Sequence, residues 1–361
     1  MKSSHRIVPT PLEGFSSWSG LPLVTYGQGT FWAAGRGRTL NSRLNSSQGE
    51  SVERATIANR TSGRLAPRKA LRGAVIEPYE LGLDLDWERP FGVVPFDKNT
   101  NVRWEEYISI HDQKIAWVHE PLEKELAFYR LTSNGAAVGR SAEHAVRSAI
   151  NELIERDAFM AWWYGLSGAV NIDVSVAQLS KGYDLLEDVQ WEYDAIRLNS
   201  RPGYCVVMVC VFIETRSSPS GVVVGCAAEP EEKGIVLPTL RAFDECVQAV
   251  DIMRLNQSVT GSAPPGVLGK YYCSPARAIR IRDHLKKSRL NNTINILAQT
   301  ADIFFRLSRS ADTDYWFARA VSPHTIPFNL SPKGARRQHF MLRNMKLRSP
   351  SKLPVEEHPL G

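Results

Sequence analysis

The segment Gly139–Asp157, GRSAEHAVRSAINELIERD, constrains this chain more than any other stretch. At 3.6 residues per turn, Ser148, Glu152, Glu155 and Arg156 fall within about 100° of one another. The remaining faces carry Ala145, Val146, Ala149, Ile150, Leu153, Ile154, Ala158 and Phe159. A helix that is apolar on most sides is a buried one, so its polar stripe is expected to line an internal cleft. Two carboxylates and a guanidinium in such a place each cost several kcal/mol unless a partner compensates them. A metal ion or a polyphosphate is such a partner.

The pattern occurs twice. Gly37-Arg38-Thr39 followed by Ser46, Glu50, Glu53 and Arg54 matches Gly139-Arg140-Ser141 followed by Ser148, Glu152, Glu155 and Arg156. The offset is constant, since 139 − 37 = 102 and 148 − 46 = 102. Recurrence at one spacing points to an internal repeat, here two helices that each present a Ser-Glu-Glu-Arg face to one shared site.

Composition narrows the class. A chain of 361 residues, 43% hydrophobic and 23% charged, has the balance of a soluble globular protein. No apolar signal region follows Met-Lys-Ser-Ser-His-Arg, and the longest apolar run, Tyr204–Ile213, is too short for a membrane span. The five cysteines, at 205, 210, 226, 246 and 273, are odd in number and form no CxxC pair. That fits a reducing cytoplasm and gives no zinc signature. A net charge of +6 permits an acidic or nucleotide partner without demanding one.

Along the chain, residues 1–30 read as a loose amino-terminal segment with one or two short strands, residues 31–330 as a single domain, and residues 331–361 as a basic, proline-containing tail. A helix is expected over 38–60, weakened by Gly49, and loops around short extended pieces over 61–100. Trp104–Val118 predicts a hairpin turning near His111-Asp112-Gln113. Thr132-Ser133-Asn134-Gly135 predicts a turn opening towards the long helix, with Ser141 as its N-cap. A helix is expected near Val176–Tyr193. Two buried strands follow, Tyr204–Glu214 and Gly221–Ala228, joined by a Ser-Pro-Ser-Gly turn. Further helices are expected over Leu237–Leu255, with Arg241 and Glu245 as an exposed i,i+4 pair, and over Ala276–Leu290. Tyr315–Val321 completes the strands. The basic tail lacks any nucleic-acid-binding motif, which argues against a nucleic-acid partner.

No GxxxxGK[ST] phosphate loop, GxGxxG, HExxH or GxSxG is present. What remains is four glutamates in two i,i+3 pairs with arginines beside them. Carboxylates suit Mg²⁺, which binds through a few acidic side chains together with substrate phosphates. Arginine suits the phosphate oxygens through paired hydrogen bonds. The duplicated set therefore points to a magnesium-nucleotide site.

Ser133-Asn134-Gly135, the two Ser-x-x-x-Glu-x-x-Glu-Arg segments, the earlier Gly-Arg-Gly, and Arg241-Ala-Phe-Asp-Glu245-Cys-Val-Gln248 together resemble the YcaO family. The ending His358-Pro359-Leu360-Gly361 is similar to the proline-bearing carboxyl termini of its azoline-forming members. The resemblance implies a mixed α/β fold, a mixed sheet with flanking helices that binds ATP without a P-loop and carries the internal pseudo-repeat. It implies Mg²⁺ held by Glu50, Glu53, Glu152 and Glu155, with Glu152, Glu155, Arg156 and the terminal Gly361 as catalytic groups. Arg36, Ser46, Asn134, Arg156, Arg241 and Glu245 would join those glutamates in binding ATP. The implied reaction is ATP-dependent cyclodehydration of Cys, Ser or Thr to azolines in a ribosomally made precursor peptide. A leader-binding, ubiquitin-activating-like protein would be the partner, with a flavin-dependent dehydrogenase as an optional addition. Arg36 stands where the family often has Lys, and Pro350, Pro354 and Pro359 do not follow its Pro-x-Pro-x-Pro ending. Thioamide or amidine formation, or a scaffold role in a synthetase complex, therefore stay open as alternatives.

Overall fold

The computed structural model describes residues 6–10, 17–21, 23–28, 31–58, 63–81, 94–121, 133–165, 167–187, 189–215, 218–260, 274–290, 302–310 and 313–326. Its described residues fall into two compact units. One draws on Met1–Ser51 and Ala161–Leu297, the other on Val52–Met160 and Ala298–Glu356.

In the first unit, β1 (Arg6–Thr10), β2 (Leu23–Gln28) and β3 (Phe31–Ala34) form an antiparallel three-stranded sheet. Helix α1 (Leu40–Ala58) starts in this unit. It forms despite Gly49 because its start is capped reciprocally. Ser42 N donates to Thr39 Oγ1 at 3.1 Å, and Thr39 N donates to Ser42 Oγ at 3.0 Å. A second antiparallel sheet is built from β9 (Ala169–Asn171), β10 (Val189–Leu198), β11 (Tyr204–Thr215) and β12 (Ser218–Pro230), in the order β12-β11-β10-β9.

Strand β11 is flanked on both sides, and Cys205 to Ile213 are buried without a break, which is why its sequence reads as one apolar run. Helix α5 (Val236–Thr260) lies on β12 and β11, with Phe243, Cys246, Val247 and Val250 in one core with Val207, Val209 and Val223. A side chain at Gly225 would meet Ala242 O at 2.0 Å, so glycine sets how closely helix and strand approach. Helix α6 (Pro275–Leu290) follows.

The second unit holds a mixed sheet in the order β5-β7-β6-β13-β14-β8, with β4 paired to β6. Its strands are β4 (Arg64–Pro67), β5 (Ala74–Ile76), β6 (Asn101–Ser109), β7 (Ile115–His119), β8 (Ala136–Gly139), β13 (Phe304–Arg309) and β14 (Trp316–Val321). Only β5–β7 is a parallel pair among the described strands. A short helix, α2 (Pro78–Leu81), follows β5. Helix α3 (Ala142–Trp163) follows β8 directly. Its N-terminus is capped as expected, with His144 N donating to Ser141 Oγ at 3.2 Å.

Both polar stripes are thus helical, and the β6–β7 hairpin turns at Gln113, where φ is 58°. Three expectations are corrected. The helix over Val176–Tyr193 is one turn, α4 (Val176–Ser180), capped by a Ser175–Gln178 box. It ends before Gly182 at φ 88°, and the Val-x-Trp-x-Tyr alternation that follows pairs as β10 on both of its edges. The β11–β12 pairing continues to Thr215↔Ser218, so Ser-Pro-Ser-Gly lies inside the second strand rather than forming the turn. Strand β13 was not anticipated at all; its Phe-Phe-Arg-Leu-Ser-Arg sequence lacks a clean alternation. The tail over 331–361 lies outside the described residues.

Candidate functional site

On α3, Glu152 and Glu155 stand one turn apart with Arg156 beside them. Arg156 Nε lies 3.4 Å from Glu155 Oε1 and 4.0 Å from Glu152 Oε1. Their side chains are only 27%, 11% and 14% exposed for Glu152, Glu155 and Arg156 respectively. The stripe is therefore half sheltered, as a helix apolar elsewhere requires. The next residue, Asp157, points into the protein and accepts Ile326 N at 2.7 Å, which anchors the helix behind the stripe. Asn134 is partly buried in the turn before β8, closed by Ala136 N to Ser133 O at 2.8 Å. Ser148 and, on α1, Ser46, Glu50 and Glu53 are all partly exposed.

The other candidate residues gather at β12, α5 and the Gly-Arg-Gly-Arg loop before α1. Glu245 accepts Cys226 N at 3.0 Å with one oxygen and Arg36 Nη1 with the other. Arg36 is 49% exposed, Glu245 17%. Arg241 does not pair with Glu245, which corrects the expected i,i+4 bridge. It pairs instead with Glu229 on β12. Both members of the expected pair are drawn away by partners on other elements, Arg241 by Glu229 and Glu245 by Arg36 and Cys226 N, which outweigh a marginal surface pair.

The loop itself is fixed from below. Arg43, buried on α1, donates Nε to Gly37 O at 3.0 Å and Nη2 to Ser19 Oγ at 2.9 Å, and it faces Asp251 Oδ2 at 3.4 Å. Ser19 Oγ donates to Asp251 Oδ2 at 2.6 Å. Gly37 adopts φ 133°, and a side chain there would strike Ser42 Oγ at 2.2 Å, so the loop needs glycine at that position. Arg38 bonds Asp244 Oδ1 at 2.9 Å and lies over the Tyr183 ring, whose hydroxyl donates to the same oxygen. Burial raises the Asp244 carboxyl above the usual range, and Arg38 pulls it back.

Sequence reasoning reached the arginines and glutamates at 36, 50, 53, 152, 155, 156, 241 and 245 but missed Glu229, Arg43, Ser19 and Asp251. An acid closing the apolar run Val222–Ala228 was the available signal for Glu229. Gly361 lies outside the described residues.

Among the described residues no three His, Cys, Asp or Glu side chains form a metal-binding group. The donor set nevertheless fits Mg²⁺, which uses one or two carboxylates and completes its shell with phosphates and water. Glu152 and Glu155, and equally Glu50 and Glu53, are such pairs. The arginines fit phosphate oxygens in the same way.

A family model described as "YcaO cyclodehydratase, ATP-ad Mg2+-binding" matches residues 34–305. No curated protein matches the chain. Among solved structures, a heterocyclase in complex with substrate and cofactor is similar at 16% identity and a TM-score of 0.71, over 98% of this chain and 54% of that one. The chain thus spans about half the length of that heterocyclase. A YcaO protein from Methanopyrus kandleri, bound with AMPPCP and Mg²⁺, is similar at 18% identity and a TM-score of 0.59, over 96% of this chain and 90% of that one. The E. coli microcin synthetase McbBCD complex contains a chain similar at 12% identity and a TM-score of 0.63, with 92% and 90% covered.

Proposed function

The chain belongs to the YcaO family, and from that premise we propose that it is an ATP-dependent cyclodehydratase that converts Cys, Ser or Thr of a ribosomally made peptide into azolines. The observation that carries this reading is the half-sheltered Glu152–Glu155–Arg156 stripe on α3, whose motif recurs on α1. When bound, Mg-ATP supplies the phosphoryl group that lets the peptide amide oxygen depart.

The chain's own part is positioning and charge. Glu50, Glu53, Glu152 and Glu155 would hold Mg²⁺. Arg156 and Arg241 take phosphate oxygens, and Arg36 adds a third cation. Arg156 lies against Glu152 and Glu155, so its guanidinium would turn from them to phosphate where those carboxylates hold a cation. Glu245 keeps Arg36 in place from its bond to Cys226 N. Asn134 and Ser46 contribute polar contacts, and Gly361 is proposed as a catalytic group. Alignment and electrostatic stabilisation supply most of the rate in phosphoryl transfer.

The precursor peptide is proposed to be delivered by a leader-binding, ubiquitin-activating-like protein, with a flavin-dependent dehydrogenase as an optional further partner. A chain of the E. coli synthetase complex having this fold supports assembly with other proteins. Among the described residues no helix is long and apolar enough to cross a membrane. The cysteines at 205, 210, 226 and 246 are buried thiols outside any disulfide, which supports a cytoplasmic setting.

The test is phosphate release from ATP with precursor and partner present, together with the intact mass of the peptide. Loss of one water per modified residue is expected from the wild type and none from Glu152→Ala/Glu155→Ala. Equal phosphate release by the two proteins overturns the reading. Exchange of oxygen for sulfur in the peptide, without loss of water, shifts it to thioamide formation.

A further inference from the structure

Strand β12 is apolar where it meets the core: Val222, Val223, Val224, Cys226, Ala227 and Ala228 are all buried. Glu229 continues that run, and its side chain is only 5% exposed. A carboxylate so far from water is strongly disfavoured unless a cation compensates it. The compensating cation is Arg241 from the first turns of α5, whose side chain is 52% exposed. The pair is lopsided, with a sheltered acid and a guanidinium that reaches outward.

Three residues earlier on the same strand, Cys226 N holds Glu245, and Glu245 in turn holds the half-exposed Arg36. Strand β12 therefore anchors two arginines, one through the backbone and α5, the other through Glu229. An arginine whose planar fork is already oriented by a carboxylate loses less side-chain freedom when an anion arrives.

We propose that Glu229 is a positioning residue for nucleotide binding: its buried carboxylate fixes the Arg241 guanidinium in the orientation that receives a phosphate oxygen. The proposal rests on the reading of Arg241 as a phosphate contact. Glu229 itself touches no reactant. Its removal weakens nucleotide binding and leaves the chemistry of the bound complex largely intact.

The experiment is a double-mutant cycle on the full chain with precursor and partner present, reading kcat and KM for ATP from phosphate release, and the melting temperature without ATP. Glu229→Gln keeps the size of the side chain and removes its charge. It is expected to raise KM for ATP about tenfold, within the range for residues that act as a unit, with kcat within about twofold. Arg241→Gln is expected to raise KM at least as much, and Glu229→Gln/Arg241→Gln no more than Arg241→Gln alone. Arg241→Gln alone strands the buried Glu229 carboxylate, whereas the doubly substituted protein buries no unpaired charge, so it folds even where Arg241→Gln is unstable. A merely structural Glu229 would lower the melting temperature and the active fraction without moving KM. If Arg241→Gln raises KM and Glu229→Gln does not, or if the two effects add, the positioning role is wrong while the phosphate reading stands. If Arg241→Gln leaves KM unchanged, the phosphate reading of Arg241 fails and takes the proposal with it.

Discussion

Helices α1 and α3 carry one polar motif over two different kinds of interior. Helix α3 buries Leu153, Ile154, Phe159 and Met160, so it is held by apolar packing. Helix α1 buries Arg43, Ser47 and Ser51 beside the small Val52 and Ala55. It is held through directed bonds: the Thr39–Ser42 cap at its start, and Arg43 to Asp251 and Ser19. Their settings differ as well, since β3 before α1 belongs to a three-stranded sheet and β8 before α3 to the mixed one. What recurs is the Ser-Glu-Glu-Arg stripe, not its background. A polar stripe can recur in sequence while the residues that hold its helix differ.

The likeness of the two stripes can be broken by charge removal. Glu50→Gln/Glu53→Gln and Glu152→Gln/Glu155→Gln are each expected to lower peptide-dependent phosphate release on the order of 10²-fold or more. A loss confined to the α3 variant would make the α1 stripe a mere echo. The unlike interiors predict the next effects, in stability. Asp251→Ala strands the buried Arg43 guanidinium and should cost roughly 3–5 kcal/mol, read from the denaturant midpoint. On α3 the comparable loss comes from an apolar residue: Leu153→Ala should cost about 2–5 kcal/mol, whereas Ser47→Ala on α1 should stay within about 1 kcal/mol. Equal costs for Leu153→Ala and Ser47→Ala would erase the distinction between a packed and a bonded helix.

The same contrast explains what could be read beforehand. Helix α3 was legible because its capping serine and its apolar residues at helical spacing agree. Strand β11 was legible because burial on both faces leaves an unbroken apolar run. Helix α1 was found by its likeness to α3 rather than by its own periodicity, since Arg and Ser on its inward side hide the pattern. The stretch after Ser175 misled because Leu185, Leu186 and Val189 mimic helical spacing, while Gly182 and the alternation of Val189, Trp191 and Tyr193 decide the outcome. Of the site, the stripes and Arg241–Glu245 were visible as sequence motifs. Their actual partners were not: Glu229, Cys226 N, Ser19 and Asp251 are brought to the arginines and Glu245 by sheet pairing and helix docking. No local spacing encodes such contacts.

The smallest expected effect concerns how the carboxyl end of α3 is held. The His284 ring on α6 stands edge-on to Trp162, with centroids 4.5 Å apart, and its Nε2 lies 3.2 Å from Trp162 O. Trp163 is 5.3 Å away. Burial lowers the pKa of this imidazole below its ordinary value, the Trp162 carbonyl opposes that shift, and Lys287 adds to it. The folded protein thus favours neutral His284. Above the ordinary value of about 6.5 both states are neutral and the contact contributes fully. As pH falls below that value the unfolded chain takes the proton first, so the contribution declines until the folded value is reached. His284→Gln stays neutral at every pH and can still donate to Trp162 O. The stability of the wild type relative to this variant should therefore shrink between about pH 8 and about pH 5.5, by roughly 1 kcal/mol or less. Denaturant midpoints at the two pH values measure it. A difference that grows on acidification would mean that the buried ring holds its proton in the folded protein, and that the end of α3 is tied by charge, as α1 is, rather than by packing.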